Sequence, residues 1–403
     1  MILGAALAAG STLWSGSGVE RAWAGPGSSR PGPVVTPNGS TLQPRMVNGV
    51  KEYHLVAEPV KHEFAPGLVA NCWGYNGQTP GPTIEAFEGD HVRVLVTNKL
   101  PEATSVHWHG MRLPNGMDGF AGLTQRAIAP GQTFVYEFTL RQQGTLMYHP
   151  HDDEMTQIAL GMMGFFVIHP RASADPPPDR DFAIMLHEWM IPPGTATPDP
   201  LAMTEFNYFT MNSRVYPATA PLVVKRGQRV RVRFGNLSMD NHPIHLHGHT
   251  FHVSGTPGGP IPAGARWPDT TVDVPPGTTR DIDFVADLAG DWPLHCHKTH
   301  HGMNAMSHDL PNMLGVDQSG VEAKIDKVVP GYMAMGQHGM VEMEHMDMGH
   351  PKNTIPMSPA SPGPFGPIGM GGMFTIVKVR EHLTSYDDPG WYHHPAGTVA
   401  HPV

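Results

Sequence analysis

Cysteine is nearly absent from this sequence: Cys72 and Cys296 are the two in 403 residues. That excludes a disulfide-stapled scaffold and leaves room for one bridge at most. Charged residues are scarce, at 15%, and the net charge is −10 with no basic block, which argues against a nucleic-acid partner. No stretch beyond the N-terminus is apolar enough to span a membrane. Long helical periodicity is missing as well. What is abundant instead is glycine (46) and proline (42), which favours an all-β, turn-rich protein long enough for two or three domains.

The N-terminus, Met1 to Ala24, is apolar and alanine-rich and ends in Ala22-Trp23-Ala24. It resembles the apolar region and cleavage site of a signal peptide, without the positively charged leader. The expectation is a periplasmic or secreted protein.

Histidine (26) and methionine (25) are enriched, and their nitrogen and sulfur donors suit copper. The most informative segment is His295-Cys296-His297. On an extended strand, alternate side chains share a face, so the two imidazoles point one way and the thiol the other. One strand then serves two metal sites. His301 lies five residues after Cys296, and Met306 five after that. Cysteine, histidine and a weak axial methionine are blue-copper ligands, a set that needs one more histidine. If Cys296 holds metal, Cys72 is unpaired; a Cys72–Cys296 disulfide would consume the ligand, so the two ideas exclude each other.

The chain repeats itself. Gly89–Asn98 precedes His107-Trp108-His109, and Gly227–Asn236 precedes His242; both segments alternate as half-buried strands do. Gly131 lies 18 residues before His149, and Gly277 lies 18 before His295. Gly144 and Gly290 each precede those histidines by five. Two sandwich domains of one kind are expected, at 46–171 and 181–380. A signal-like segment (1–24) and a flexible segment (25–45) precede them. Between them runs a stiff, proline-rich linker, 172–180. A segment of about 311–369 reads as an insertion, after which Met373–Val379 supplies a closing strand; 381–403 is a tail. Within the insertion, residues 333–350 form a Met/His-rich tract, from Met333 to His350.

Four motifs carry paired imidazoles: His107-Trp108-His109, His149-Pro150-His151, His245-Leu246-His247 (preceded by His242-Pro243-Ile244), and His295-Cys296-His297. Eight such histidines at repeat-related positions point to a multinuclear site.

With these motifs, and with Tyr75–Pro82 upstream, residues 46–310 resemble the multicopper oxidases, the family of laccases, ascorbate oxidase and bacterial cuprous oxidases. The resemblance implies two cupredoxin-like Greek-key β-sandwich domains in tandem and four copper ions. Type 1 copper would take His242, Cys296 and His301, with Met306 axial; Met303 is a rival by composition. Type 2 copper would take His107 and His245. One type 3 copper would take His109, His149 and His297; the other His151, His247 and His295. His249 and His300 are left out as ligands. Electrons from a donor would pass from Cys296 along the backbone to His295 and His297, and four of them would reduce O2 to water. Asp118 matches the family's acid near the type 2 copper, with a plain turn residue as the simpler reading. Gly302 stands where some members carry a second acid, so that relay is absent.

Pro150 stands in the first repeat where Cys296 stands in the second, so blue copper belongs to the second domain alone. With no third domain, the chain is similar to two-domain laccases, whose homotrimers build the cluster between subunits. The expected donor is a phenol or another small molecule. The Met/His tract suggests Cu(I) instead, since thioether sulfur prefers the cuprous ion. A copper nitrite reductase and a non-catalytic copper carrier are the rival classes; eight cluster histidines and Pro150 speak against the first.

Overall fold

The computed structural model describes residues 31–173, 175–192, 195–204, 206–303 and 361–403, with the isolated positions 324, 327 and 328. The expectations for 1–24, the 333–350 tract and Met306 fall outside the described residues. The chain is almost entirely β.

Two sandwiches follow each other. In the first, one sheet runs Thr41–Leu42, Thr83–Phe87, Gly164–His169, Gly144–His149 and His107–His109 in spatial order. Its partner runs Arg45–Val47, Val50–Ala65, His91–Asn98 and Thr133–Thr139, with Leu68–Tyr75 pairing on the long strand. Alternation along His91–Asn98 sends Val92, Val94 and Val96 inward, where they meet Tyr53, Leu55, Trp108 and Phe166.

The second sandwich repeats this plan. Arg180–Trp189 runs parallel to Arg229–Asn236, as Val50–Ala65 does to His91–Asn98. The facing sheet runs Leu222–Lys225, Phe374–Arg380, Gly290–Cys296, His242–Leu246 and Thr271–Val274. Phe374–Arg380 thus sits between two strands drawn from far earlier in the chain.

A third apolar cluster joins the domains. Met147, Phe165 and Val167 of the first sandwich meet Ala183 and Met185 of the second, with Cys72 and Trp189 among them. Cys72 and Cys296 lie in different cores, and both are free thiols.

One expectation is overturned. Residues 34–45 do not form a flexible lead-in. Val34 is buried, Val35 N donates to Asp181 O, and Ala183 N donates to Val35 O. Thr41–Leu42 then adds a parallel edge to Thr83–Ile84. The Pro- and Gly-rich surroundings hid a short β-branched run, Val34-Val35-Thr36, that fills a cleft between the domains.

Candidate metal centre

Strand pairing brings the eight motif histidines together in two sets of four. His107 lies opposite His149 across an antiparallel pair, and His245 lies opposite His295. In the first quartet, His109 Nδ1 and His149 Nε2 are 3.2 Å apart. In the second, His247 Nε2 and His295 Nε2 are also 3.2 Å apart. The rings of His107 and His151 centre 5.5 Å from each other, as do those of His245 and His297.

The far nitrogen of several rings is anchored to backbone. His149 Nδ1 donates to Pro150 O (2.8 Å) and His295 Nδ1 to Cys296 O (2.9 Å). His107 Nδ1 donates to Asp118 O (2.8 Å) and His245 Nδ1 to Thr270 O (2.7 Å). These bonds fix tautomer and orientation, leaving Nε2 to face the quartet, which is how metal-binding imidazoles are held. Burial holds His149 down to about 3, so it is a neutral ligand at ordinary pH.

Asp118 lies beside the first quartet, its Oδ1 3.5 Å from His107 Nδ1. The turn that places it needs Gly119, where φ is +87° and a Cβ would sit 1.8 Å from Val106 O. Sequence reasoning missed Glu154, whose carboxylate lies 3.6 Å from His149 Nδ1 and 3.5 Å from His151 Nε2. It also missed the carbonyl anchors, which no side-chain pattern reveals.

The third group is separate. His242 Nδ1 and His301 Nδ1 are 3.1 Å apart, and Cys296 Sγ lies 3.8 and 3.7 Å from them. All three residues are buried. Burial pushes the thiol up to about 12 and holds His242 well below its usual value. Behind the group, Ser238 Oγ meets His242 Nε2 at 2.8 Å. Glu188 lies there too, its carboxyl pushed up to about 8 by burial and by Asp240 beside it. Phe209 stacks on His301 with centroids 4.1 Å apart. His249 turns aside, its Nδ1 donating to His247 O.

Two imidazole nitrogens and one sulfur, buried and convergent, suit copper; the imidazole quartets suit it equally. Ring contacts link members of each quartet, and among the described residues none joins the two sets.

The repeat is legible in these bonds. Asn98 Nδ2 donates to Glu102 O and Ile128 O while its Oδ1 accepts from Leu100 N. Asn236 makes the same three bonds, to Asp240 O, Val274 O and Ser238 N. This registers His107 on His245 and therefore Thr104 on His242.

The multicopper oxidase family matches twice, at residues 57–173 and 192–313, together more than half of the chain. Putative laccase-19 of Oryza sativa subsp. indica is 32% identical over 55% of this chain and 39% of its own length. Copper resistance protein A of Escherichia coli is 41% identical over 28% of this chain and 18% of its own. The chain thus spans less than two fifths of these curated relatives. The blue copper oxidase of Nitrosomonas europaea superposes with a TM-score of 0.61 at 25% identity, covering 85% of this chain and 92% of that one. The chain belongs to the multicopper oxidase family.

Proposed function

We propose that the protein is a laccase-like oxidase coupling one-electron oxidation of phenols or other small donors to four-electron reduction of O2 to water. One covalent relationship carries the reading. Cys296, whose sulfur meets His242 and His301, is peptide-bonded on both sides to histidines of the second quartet. Copper held by these residues supplies one-electron chemistry at the donor side and multi-electron chemistry at O2. Type 1 copper would be held by His242, Cys296 and His301, with Met306 proposed as a further ligand from its place in the sequence.

The two 3.2 Å nitrogen pairs support the type 3 assignment. His109 and His149 would hold one ion together with His297, and His247 and His295 would hold the other together with His151. His107 and His245 serve type 2 copper. Each quartet offers one imidazole to that ion, so type 2 copper depends on the quartets meeting. Asp118 holds His107 through its carbonyl and carries protons at its carboxylate.

Because the quartets are separate within the chain, a neighbouring subunit supplies the other half, and a three-fold ring closes such a head-to-tail contact. A monomer in solution with four coppers would refute this. Among the described residues no helix is long and apolar enough to cross a membrane; a periplasmic or secreted location is our reading of the N-terminus.

The test is O2 uptake with a panel of donors on protein of measured copper content. Bound copper without O2 consumption would mean a carrier. Oxidation of Cu(I) for copper tolerance is the second reading, favoured by the exposed Met239 beside Asp240 at the His242 end.

A further inference from the structure

One asparagine stands between two candidate copper sites of the same chain. Asn236 ends the strand Arg229–Asn236 and grips the corner from Val274 to Gly277 at both ends. Its Nδ2 donates to Val274 O at 2.8 Å, and Gly277 N donates to its backbone O at 2.9 Å. Pro275 and Pro276 fill the corner between those bonds, and their fixed φ leaves it little freedom.

The corner begins at the type 1 group, where Val274 lies opposite His242 across an antiparallel pair. Ser238 closes this end, its Oγ 2.6 Å from Asn236 Oδ1 and 2.8 Å from His242 Nε2. The corner finishes at the first quartet. There the Gly277 backbone accepts a hydrogen bond from His109, and a Cβ added at Gly277 would lie 3.7 Å from His109 Cε1.

We propose that Asn236 is a positioning residue shared by two copper sites: through Ser238 it sets His242 of the type 1 group, and through the Pro275-Pro276-Gly277 corner it sets His109 of the first quartet. The inference rests on the copper assignments of the oxidase reading and adds a coupling between them.

Three observations carry it. The contact at His109 is one of a row. Thr279 and Asp281 follow Gly277 at alternate positions, and both reach the strand that ends at His149. Thr279 Oγ1 donates to Thr145 O at 2.8 Å, and Thr145 Oγ1 donates to Asp281 Oδ1 at 2.6 Å. Next, Asn236, His242, Thr145 and Thr279 are all buried, so water does not readily replace a bond lost along the path. Finally, the repeat supplies a contrast. Asn98 grips the corner from Ile128 to Gly131 in the same way, through Ile128 O and Gly131 N. A Cβ added at Gly131 would meet nothing within 4 Å, so no histidine rests there. The grip belongs to the fold, and the histidine at its end belongs to the second corner.

Cys296 joins the type 1 group to the second quartet through its own peptide bonds. Asn236 joins the same group to the first quartet. Where neighbouring subunits complete the clusters, each type 1 group therefore reaches two of them, one by each route. Such a coupling is reciprocal, so a change at either end is felt at the other.

The experiment uses the full, copper-loaded chain. Its readouts are the blue absorption and the near-ultraviolet absorption of the type 3 pair, per protein. Ser238→Ala cuts the path beside His242, and Gly277→Ala strains the corner at φ +67°. Gly227→Ala puts similar strain at φ +85° in the same domain, with nothing within 4 Å. Ser238→Ala should shift the blue band and also lower the near-ultraviolet absorption, and Ser238→Thr should restore both. Gly277→Ala should do the same from the other end, and Gly227→Ala should change neither. The double variant Ser238→Ala/Gly277→Ala should lose less than the sum of the two, since both cut one path. If Gly277→Ala fails to fold, the Ser238 pair decides alone. A change confined to the blue band in Ser238→Ala, or strictly additive losses, overturns the coupling. Protein with these cross-effects that consumes no O2 loses the oxidase reading and keeps this one. Protein that consumes O2 without them keeps the oxidase reading and loses this one.

Discussion

Pro150 stands in the first domain where Cys296 stands in the second. His149 donates to the Pro150 carbonyl at 2.8 Å as His295 does to the Cys296 carbonyl at 2.9 Å. The backbone device that orients a motif imidazole is thus kept in both repeats, and the thiol in one. Restoring sulfur alone should not restore a blue site. Thr104 occupies the His242 position and bonds Gln157, and Met155 falls where His301 would. Pro150→Cys should therefore bind no copper with an intense absorption near 600 nm, whereas Cys296→Ser should abolish that absorption and donor oxidation while the cluster histidines still take copper. A new blue band in Pro150→Cys would refute the registration of the repeats.

The motif histidines and the repeat were legible because strand alternation and fixed spacing are written along the chain. The acid behind the His242–Cys296–His301 group was not. Glu188 lies on Arg180–Trp189, about 50 residues before His242, in a run buried along nearly its whole length. Only the polar pair His187-Glu188 inside that apolar run hinted at a role. The Val34–Thr36 clip was equally hidden, because what holds it is the seam between two domains rather than any local pattern.

Asn98 and Asn236 make matching bonds but stand before different sites. Asn98→Ala loses three hydrogen bonds and Asn236→Ala four, since Ser238 Oγ also donates to Asn236 Oδ1, a cost of roughly 2–5 kcal/mol at about 1 kcal/mol each. Asn236→Ala should also loosen Ser238 and with it His242, so its blue absorption per protein should fall. Asn98→Ala should be destabilised nearly as much and keep its blue band. Thermal unfolding and the visible spectrum of both variants decide this; equal loss of the band in both would count against it.

Protonation gives a further handle. The folded value of His149, about 3, lies below the ordinary value near 6.5 of the unfolded chain. Between those values the unfolded state binds more protons, so copper-free stability is full above about 6.5 and falls as pH drops toward 3. The slope from this residue approaches about 1.4 kcal/mol per pH unit, and His149→Gln should remove that part of it in urea titrations. A slope unchanged by the substitution would contradict this. The buried thiol of Cys296, pushed up to about 12, keeps its proton until copper arrives. Loading at pH 8 should release one more proton in the wild type than in Cys296→Ser, read by pH-stat.

Arg233 sits at the seam between domains, four residues along its neighbour's strand from the first quartet. Its Nε and Nη2 reach both oxygens of Asp181 at 2.8 Å, and Nη1 reaches Thr145 Oγ1 at 2.7 Å. Thr145 in turn donates to Asp281 at 2.6 Å, and it lies on the strand that ends at His149. Arg233→Met leaves Asp181 and Asp281 buried without their cation, which costs about 3–5 kcal/mol. Arg233→Lys keeps charge but not the two-pronged geometry, so it should fall between. Because the strain is delivered to the His149 strand, copper at the first quartet should weaken before blue copper does. Site-resolved electron paramagnetic resonance beside a thermal melt tests this order: type 2 signal lost with the blue signal intact is the expected result. An unshifted melting temperature, or blue copper lost first, would show that the seam does not support the cluster.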